Sequence, residues 1–308
     1  MSRGPKSGPA RDFTTIGEMS APVFAVLPDP EMLFARRAAR FTALAEGHAL
    51  APYLGFLSRL VEVQRQEAAA PPPPLDQASV ERAIAFGMPA LSKNLLTEGD
   101  DFARTLDRFL RHASIAEAPP TADQALARVV AMAPADRLAL AEAVFDAAYP
   151  ADQIGECLYV GAGLQLHLTR LAAGLDASGL RPVGDGVCPV CGGPPVASSV
   201  VGWAEASRSR YCCCGLCATR WNQVRVKCVM CGSTEDVSQR VIEGQPDDVA
   251  AETCGKCRCY IKLFREDRRP EIEPFADDIA SYGLDLLLSE EEEFRRPAAN
   301  PFMVRIGR

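Results

Sequence analysis

Eight of the twelve cysteines in this chain form four Cys-x-x-Cys pairs. The pairs are Cys188/Cys191, Cys214/Cys217, Cys228/Cys231 and Cys254/Cys257. Two intervening residues let both sulfurs of a pair converge on one ion while backbone amides of the turn point at the thiolates. Eleven cysteines fall between residues 188 and 259, which indicates a local metal-binding region rather than a disulfide framework along the whole chain.

The pattern C-x2-C-x22-C-x2-C starts at Cys188 and again at Cys228, an offset of 40 residues. The glycine after the second cysteine also repeats, as Gly192 and Gly232. This regularity predicts two copies of one small ribbon-like module, each with a tetrahedral four-thiolate site. Site 1 comprises Cys188, Cys191, Cys214 and Cys217, and site 2 comprises Cys228, Cys231, Cys254 and Cys257.

The donor set is entirely sulfur, because the three histidines of the chain (His48, His112 and His167) lie outside the cysteine-rich region. Four thiolates in a tetrahedron bind zinc or iron, and the residues alone do not choose between them. The alternative is that some pairs are redox thiols or buried core cysteines. A closed set of four ligands leaves no open position, which argues against a catalytic zinc.

The stretch YCCCGLC, residues 211–217, holds four cysteines in its last six positions. The offset distinguishes them, because Cys212 and Cys213 correspond to Glu252 and Thr253 in the second copy. We therefore expect these two to be strand residues beside site 1 rather than ligands. The cysteines without an assigned role are Cys157, Cys212, Cys213 and Cys259.

The elements that must position these cysteines follow from the rest of the pattern, which predicts a multidomain chain of α plus small β structure. Residues 1–28 are rich in Gly, Pro and Ser and predict a mobile arm. Residues 29–180 carry apolar side chains at helical spacing and predict an all-α domain. Two tandem metal modules follow, over 181–223 and 224–268, and 269–308 predicts a C-terminal helix and tail.

Local signals support this outline. Asp29-Pro30-Glu31 predicts a helix start, and the prolines within residues 68–76 predict a stiff connector after the second helix. A longer helix is predicted over about 154–174. Between the cysteines, the runs with strand character are VASSVVGW, TRWNQVRV and YIKLFRE.

The net charge of the chain indicates which classes of partner it can bind. The chain has a formal net charge of −7, and twelve Lys/Arg against ten Asp/Glu lie between 183 and 270. Eight thiolates around two divalent ions would turn that small surplus negative, which argues against a nucleic-acid partner. No run of about 18 apolar residues and no secretory h-region is present, so we expect a cytoplasmic protein without stable membrane insertion.

The charged residues and histidine outside the two thiol groups have structural rather than catalytic interpretations. We interpret Arg36, Arg37 and Arg40 as a solvated helix face, with partner binding as the alternative, and His167 as a core histidine, with a ligand role as the alternative. Neither a Ser/His/Asp set nor a carboxylate pair can be argued from the spacing, so we predict no catalytic site. Four arginines near Trp221 predict a solvated ribbon face with one packed tryptophan, with a binding patch as the alternative: Arg208, Arg210, Arg220 and Arg225.

Several segments together resemble the formate dehydrogenase accessory protein (FdhE) family. The resemblance is carried in the metal region by CPVCGGPPVASSVV, YCCCGLCATRWNQVRVKC, CVMCGS and CGKCRCYIKLFRED. It extends to RRAARFTALAEGHALAPYLGFL near the N-terminus and to FADDIASYGLDLL and NPF near the C-terminus, covering about residues 20–303. All eight paired cysteines match the family pattern.

The resemblance implies a helical N-terminal domain followed by two rubredoxin-like modules. It implies iron rather than zinc, and a cytoplasmic, non-catalytic factor that binds the formate dehydrogenase catalytic subunit during maturation. The competing hypotheses are a redox or sulfur-handling protein that passes electrons to a client metalloenzyme, and a nucleic-acid-binding zinc ribbon. A homodimer is compatible with the sequence.

Overall fold

The first part of the chain folds into a helical domain. The computed structural model describes residues 22–290, 293–298 and 300–303. Most of the predicted mobile arm therefore lies outside the described residues. The helices of this domain are α1 Pro30–Ala45, α2 Ala51–Ala68, α3 Gln77–Ala85, α4 Asp101–His112, α5 Pro120–Ala131, α6 Pro134–Phe145 and α7 Ile154–Ala173, with short 3-10 turns at Lys93–Leu96 and Ala177–Gly179.

The sequence signals explain where these helices begin and end. The side chain of Asp29 accepts a hydrogen bond from the Met32 amide, and Pro30 occupies the first turn of α1. The helix α2 ends at Ala68, before the prolines, and the Arg170 guanidinium of α7 donates to the carbonyls of Ala70 and Pro71. The polyproline connector is thus fixed against the helical core.

The helix α7 is the centre of the helical domain and packs against α1, α2, α4, α5 and α6. Both faces of α7 are buried, as expected for a helix surrounded by others. Gly163 allows the close approach of α4, because a Cβ there would lie 2.5 Å from Leu106 Cδ1. Gly163 is therefore a packing residue of this helix.

Both metal modules contribute to one mixed sheet. Within the described residues the strands are β1 Ala25–Val26, β2 Pro195–Val200, β3 Arg210–Cys214, β4 Arg220–Asn222, β5 Val237–Arg240, β6 Val249–Cys254 and β7 Cys259–Arg265. They form a seven-stranded sheet in the order β1-β4-β3-β2-β7-β6-β5. Each module supplies three antiparallel strands, and the parallel pair β2/β7 joins the modules, with Val200 opposite Arg265.

A buried ion pair also joins the two modules. The Arg210 guanidinium of β3 donates to Glu252 of β6 at 2.6 Å, and both side chains are almost fully buried. A charge buried without its partner is costly, so this pair favours the register in which the two modules meet. The predicted solvated ribbon face is wrong for Arg210, whereas Trp221 is packed as predicted.

The C-terminal part returns to the helical domain as two short helices, α8 Pro274–Ala280 and α9 Tyr282–Glu290. The sequence predicts one C-terminal helix, and the structure divides this segment into two helices separated at Ser281. The Ser281 hydroxyl donates to the Asp277 carbonyl and so satisfies a carbonyl at the end of α8.

The N-terminal arm also differs from its prediction at its last residues. Ala25 and Val26 form β1, which pairs with Trp221 and Arg220 of β4. The Tyr211 hydroxyl donates to the Val23 carbonyl at 2.7 Å. This segment closes the edge of the sheet next to site 1, and a strand of two residues is too short to give a periodic signal in sequence.

Candidate metal centres

The residues predicted for site 1 lie together at the end of β3 and in the loop before β2. Cys188 and Cys191 come from the loop, Cys214 ends β3, and Cys217 follows in the turn to β4. The Sγ atoms of Cys188 and Cys217 are 3.6 Å apart, and those of Cys191 and Cys214 are 3.4 Å apart. Metal–sulfur bonds of about 2.3 Å in a tetrahedron place the sulfurs roughly 3.8 Å apart, so the group fits one ion.

Backbone amides surround the sulfurs of site 1. The amides of Leu216 and Cys217 donate to Cys214 Sγ, and the amide of Gly193 donates to Cys191 Sγ, each at 3.4 Å. These donors favour the thiolate form that metal binding requires. Burial opposes ionisation of Cys214, but hydrogen bonds from the other three thiols lower its pKa well below the ordinary value.

The residues predicted for site 2 form the same arrangement in the second module. Cys228 and Cys257 have Sγ atoms 3.8 Å apart, and Cys231 and Cys254 match that distance. In each group the four sulfurs lie within 4.8 Å of one another, so each group could hold one metal ion. The twelve cysteines all lie in the described residues, and none forms a disulfide.

The surroundings of the two groups differ. Site 1 is buried because the helical domain covers it: Gln165 Nε2 of α7 donates to the Gly215 carbonyl at 2.6 Å, and the Leu91 amide donates to the Val190 carbonyl at 2.7 Å. In site 2, Cys231 is exposed and Cys257 is half-buried. The two copies thus share their ligand geometry but differ in access to solvent.

The four remaining cysteines lie outside both groups. Cys212 and Cys213 are buried strand residues of β3, as the repeat predicts, and burial raises the pKa of each to about 12. Burial likewise raises the pKa of Cys157 in α7 to about 12. The Cys259 thiol donates to the Cys257 carbonyl at 3.5 Å. Cys157, Cys212 and Cys213 are therefore protonated at neutral pH.

The predicted solvated face of α1 is wrong for Arg37 and Arg40, which are buried against the segment around α8, whereas Arg36 is partly exposed. Arg37 and Arg40 form buried ion pairs with Glu273 and Asp277, at 3.0 and 2.6 Å. Arg36 donates to the carbonyl of Ile272 at 2.5 Å. The acidic partners lie more than 230 residues away in sequence, so periodicity within α1 could not reveal them.

His167 is a core histidine of α7, as predicted. Its ring packs edge-on against Phe102 with centroids 5.5 Å apart, and its Nδ1 is buried without a hydrogen-bond partner among the described residues. Burial, followed by the nearby Arg170 charge, lowers the pKa of His167 to about 4. The ring is therefore neutral at pH 7 and stands apart from the thiol groups.

Family models match the chain from its helical domain through its C-terminal segment. The models described as "FdhE, N-terminal", "FdhE, central domain" and "FdhE, C-terminal domain" match residues 22–185, 187–225 and 226–303. The chain belongs to the FdhE family. The central model contains all four cysteines of site 1 and the C-terminal model all four cysteines of site 2, so both thiol groups fall within FdhE domains.

Curated relatives share nearly the whole length of the chain. A "Protein FdhE homolog" of Rhizobium meliloti (strain 1021) is 39% identical over 297 residues, covering 95% of this chain and 97% of the relative. The homolog of Stutzerimonas stutzeri (strain A1501) is 36% identical over 287 residues, covering 91% and 92%. The FdhE similarity is therefore not confined to the cysteine motifs.

The fold is also similar to a solved structure of this family. The crystal structure of the FdhE protein from Pseudomonas aeruginosa matches with a TM-score of 0.81 at 30% identity, covering 92% of this chain and all of that one. The predicted combination of a helical domain, two ribbon-like metal modules and a C-terminal helical segment is confirmed. Among the described residues, no helix is both long and apolar enough to cross a membrane.

Proposed function

We propose that this protein is a non-catalytic cytoplasmic accessory factor for formate dehydrogenase and that it binds the catalytic subunit of that enzyme. The observation that carries the proposal is the presence of two four-thiol groups within a chain that belongs to the FdhE family over nearly its full length. The helical domain and the metal modules would present a shared surface to the client.

In this proposal the ligands are Cys188, Cys191, Cys214 and Cys217 for one ion and Cys228, Cys231, Cys254 and Cys257 for the other. Four sulfur donors at tetrahedral spacing fit either iron or zinc, and the family resemblance favours iron. With four protein ligands each site lacks an open position for substrate, which supports a structural or electron-carrying role over metal-centred hydrolysis.

A redox role is the second candidate, and the exposure of Cys231 favours it for site 2. Bound iron would supply one-electron chemistry at that position. An electron carrier needs its site near the surface, whereas a purely structural site does not. Site 2 meets this requirement and site 1, buried beneath α7, does not.

The experiment is an affinity capture under anaerobic, reducing conditions. The tagged, metal-loaded protein is mixed with purified formate dehydrogenase catalytic subunit, and the same protein stripped of metal serves as the control. The proposal predicts capture by the loaded protein and weaker capture by the stripped protein. Failure of the fully loaded protein to capture the subunit would contradict it.

The same sample distinguishes the second candidate. A redox role predicts a reversible one-electron change in the visible absorbance on reduction and reoxidation. Zinc in both sites of the natively loaded protein would rule this role out while leaving the accessory function intact.

A further inference from the structure

A cavity of about 530 Å3 opens where the two metal modules meet. The strands β2 and β7 run parallel and both end at this edge of the sheet, with Val200 opposite Arg265. The segments that follow them leave side by side, and the Asp267 amide donates to the Val200 carbonyl at 3.0 Å. Because each module contributes one wall, the cavity exists only when the modules are joined.

Arginine dominates the lining of this cavity, which we call the junction pocket. Its polar side chains are Ser207, Arg208, Arg225, Arg265, Asp267 and Arg268. Four arginines and one aspartate therefore line the pocket, in a chain whose formal net charge is −7. This local excess of positive charge in an acidic protein indicates a site for an anion.

The arginines of this region fall into two groups. Arg210 and Arg220 are bound to the carboxylates of Glu252 and Glu266 and stabilise the sheet. In the part of the chain that the structure describes, Arg208, Arg225 and Arg265 line the pocket without a carboxylate at ion-pair distance, although the Asp247 charge interacts with Arg265 at longer range.

The fourth arginine of the lining, Arg268, is held by Asp247 at 2.5 Å. Three guanidinium groups thus remain available to a ligand, and each can bind phosphate oxygens through two parallel hydrogen bonds.

The size and charge of the junction pocket restrict the chemical class of ligand that it can bind. Asp267 also lines the pocket, but its Oδ1 is buried away from solvent and is not counted as a contact for a ligand. The volume lies within the range of about 300–1,000 Å3 typical of small-molecule sites and exceeds the needs of a single inorganic phosphate. Three guanidiniums match the charge of a diphosphate.

We propose that the junction pocket binds a small organic diphosphate, with Arg208, Arg225 and Arg265 on its phosphate oxygens. This assignment is independent of the metals and of the formate dehydrogenase partner, since neither site 1 nor site 2 contributes a ligand cysteine to the lining.

The test is isothermal titration calorimetry of the full, metal-loaded chain with ADP as the probe at low ionic strength. Adenosine and an octaglutamate peptide serve as comparison ligands. The double variant Arg208→Ala/Arg225→Ala removes two exposed guanidiniums from the pocket, and Arg82→Ala/Arg104→Ala removes two exposed arginines from the helical domain as a matched control. Circular dichroism and metal content establish that both variants are folded.

The proposal predicts that ADP binds, that adenosine does not, and that added salt weakens the binding. The pocket variant should bind ADP at least roughly tenfold more weakly, because charge-assisted hydrogen bonds are lost, and the control variant should match the wild type. Absence of ADP binding, or equal affinity of the pocket variant, would overturn the proposal. Tighter binding of octaglutamate than of ADP would also overturn it, by assigning the pocket to an acidic protein segment.

Discussion

Cys212 and Cys214 stand two residues apart in β3 and are both buried, but their sulfurs have different surroundings. Cys214 Sγ accepts two backbone amides and lies 3.4 Å from Cys191 Sγ. Cys212 lies between neighbouring strands, opposite Ser198 and Trp221, and its thiol stays protonated. Amide donors and converging thiols, rather than the residue type, distinguish a candidate ligand from a core cysteine.

This difference gives a prediction for paired serine variants. Cys214→Ser removes one of four ligands of site 1 and should reduce the metal content from two ions per chain to about one. Cys212→Ser leaves both thiol groups complete and should keep two ions, with at most a small loss of stability. Metal analysis after anaerobic purification measures both. Loss of metal from Cys212→Ser would show that the 40-residue register has been assigned incorrectly.

His167 gives a prediction about acid stability. Its pKa is about 4 in the folded protein against an ordinary value of 6.5, so between these values the unfolded chain binds a proton that the folded chain does not. The free energy of unfolding therefore falls as the pH drops through this window, by on the order of 3 kcal/mol in total. The substitution His167→Leu should remove this contribution to the pH dependence of the free energy of unfolding.

The measurement is chemical denaturation of wild type and His167→Leu at pH 7 and pH 4.5. Comparing the two proteins at each pH cancels the acid sensitivity of the metal sites, which both share. The variant should gain stability relative to wild type on acidification. Parallel losses in the two proteins would show that His167 does not titrate as its burial implies.

Helix α8 is the element through which the C-terminal part binds the rest of the molecule. Its Asp277 pairs with Arg40 of α1, and its Asp278 pairs with Lys262 of β7 and with Arg296. Lys262 is fully buried and also binds Asp285 of α9 at 2.5 Å. The helical domain, the sheet and the C-terminal segment thus meet in buried ion pairs around one short helix.

Breaking one of these pairs should be costly. Arg40→Met leaves the Asp277 carboxylate buried without its cation and should destabilise the protein by about 3–5 kcal/mol. Arg104→Met disrupts an ion pair whose arginine is 65% exposed and should cost less than about 1 kcal/mol. Urea denaturation compares the two. Equal effects would show that the α1–α8 contact contributes little to stability.

The unequal covering of the two sites predicts unequal metal exchange. Site 2, with Cys231 exposed, should release its metal to a competing chelator roughly tenfold faster than site 1, a difference of about 1.4 kcal/mol in the barrier to opening. With zinc-loaded protein, release to a chromogenic chelator should be biphasic. The variant Cys231→Ser/Cys254→Ser should lose the fast phase, and persistence of that phase would contradict the assignment.

At the scale of the whole molecule, the sequence repeat and the helix-end signals predicted more of the structure than the strand patterns did. The 40-residue offset predicted which cysteines come together, and Asp29 with Pro30 predicted the start of α1. The strands β3 and β6 gave no alternation, because they are buried almost throughout in the interior of the sheet. The predicted module limits at 223/224 stay a prediction, since one continuous sheet runs through both modules.

Contacts between distant segments could not be predicted from one sequence. The junction pocket depends on the parallel pairing of β2 with β7, and neither strand indicates its partner. The buried acids of α8 look like the solvated positions of an amphipathic helix until Arg40 and Lys262 are placed beside them. Local spacing predicted which thiols come together, whereas the surroundings of those thiols depend on tertiary packing.

The most direct test of the central claim is the metal content of the anaerobically purified protein, measured by mass spectrometry. The number of free thiols in the wild type is measured on the same sample. We expect two metal ions per chain in the wild type and one in Cys228→Ser/Cys231→Ser, with the remaining ion held by site 1. A wild-type protein that retains fewer than two ions, or whose paired cysteines are oxidised to disulfides, would contradict the account of two four-thiolate centres.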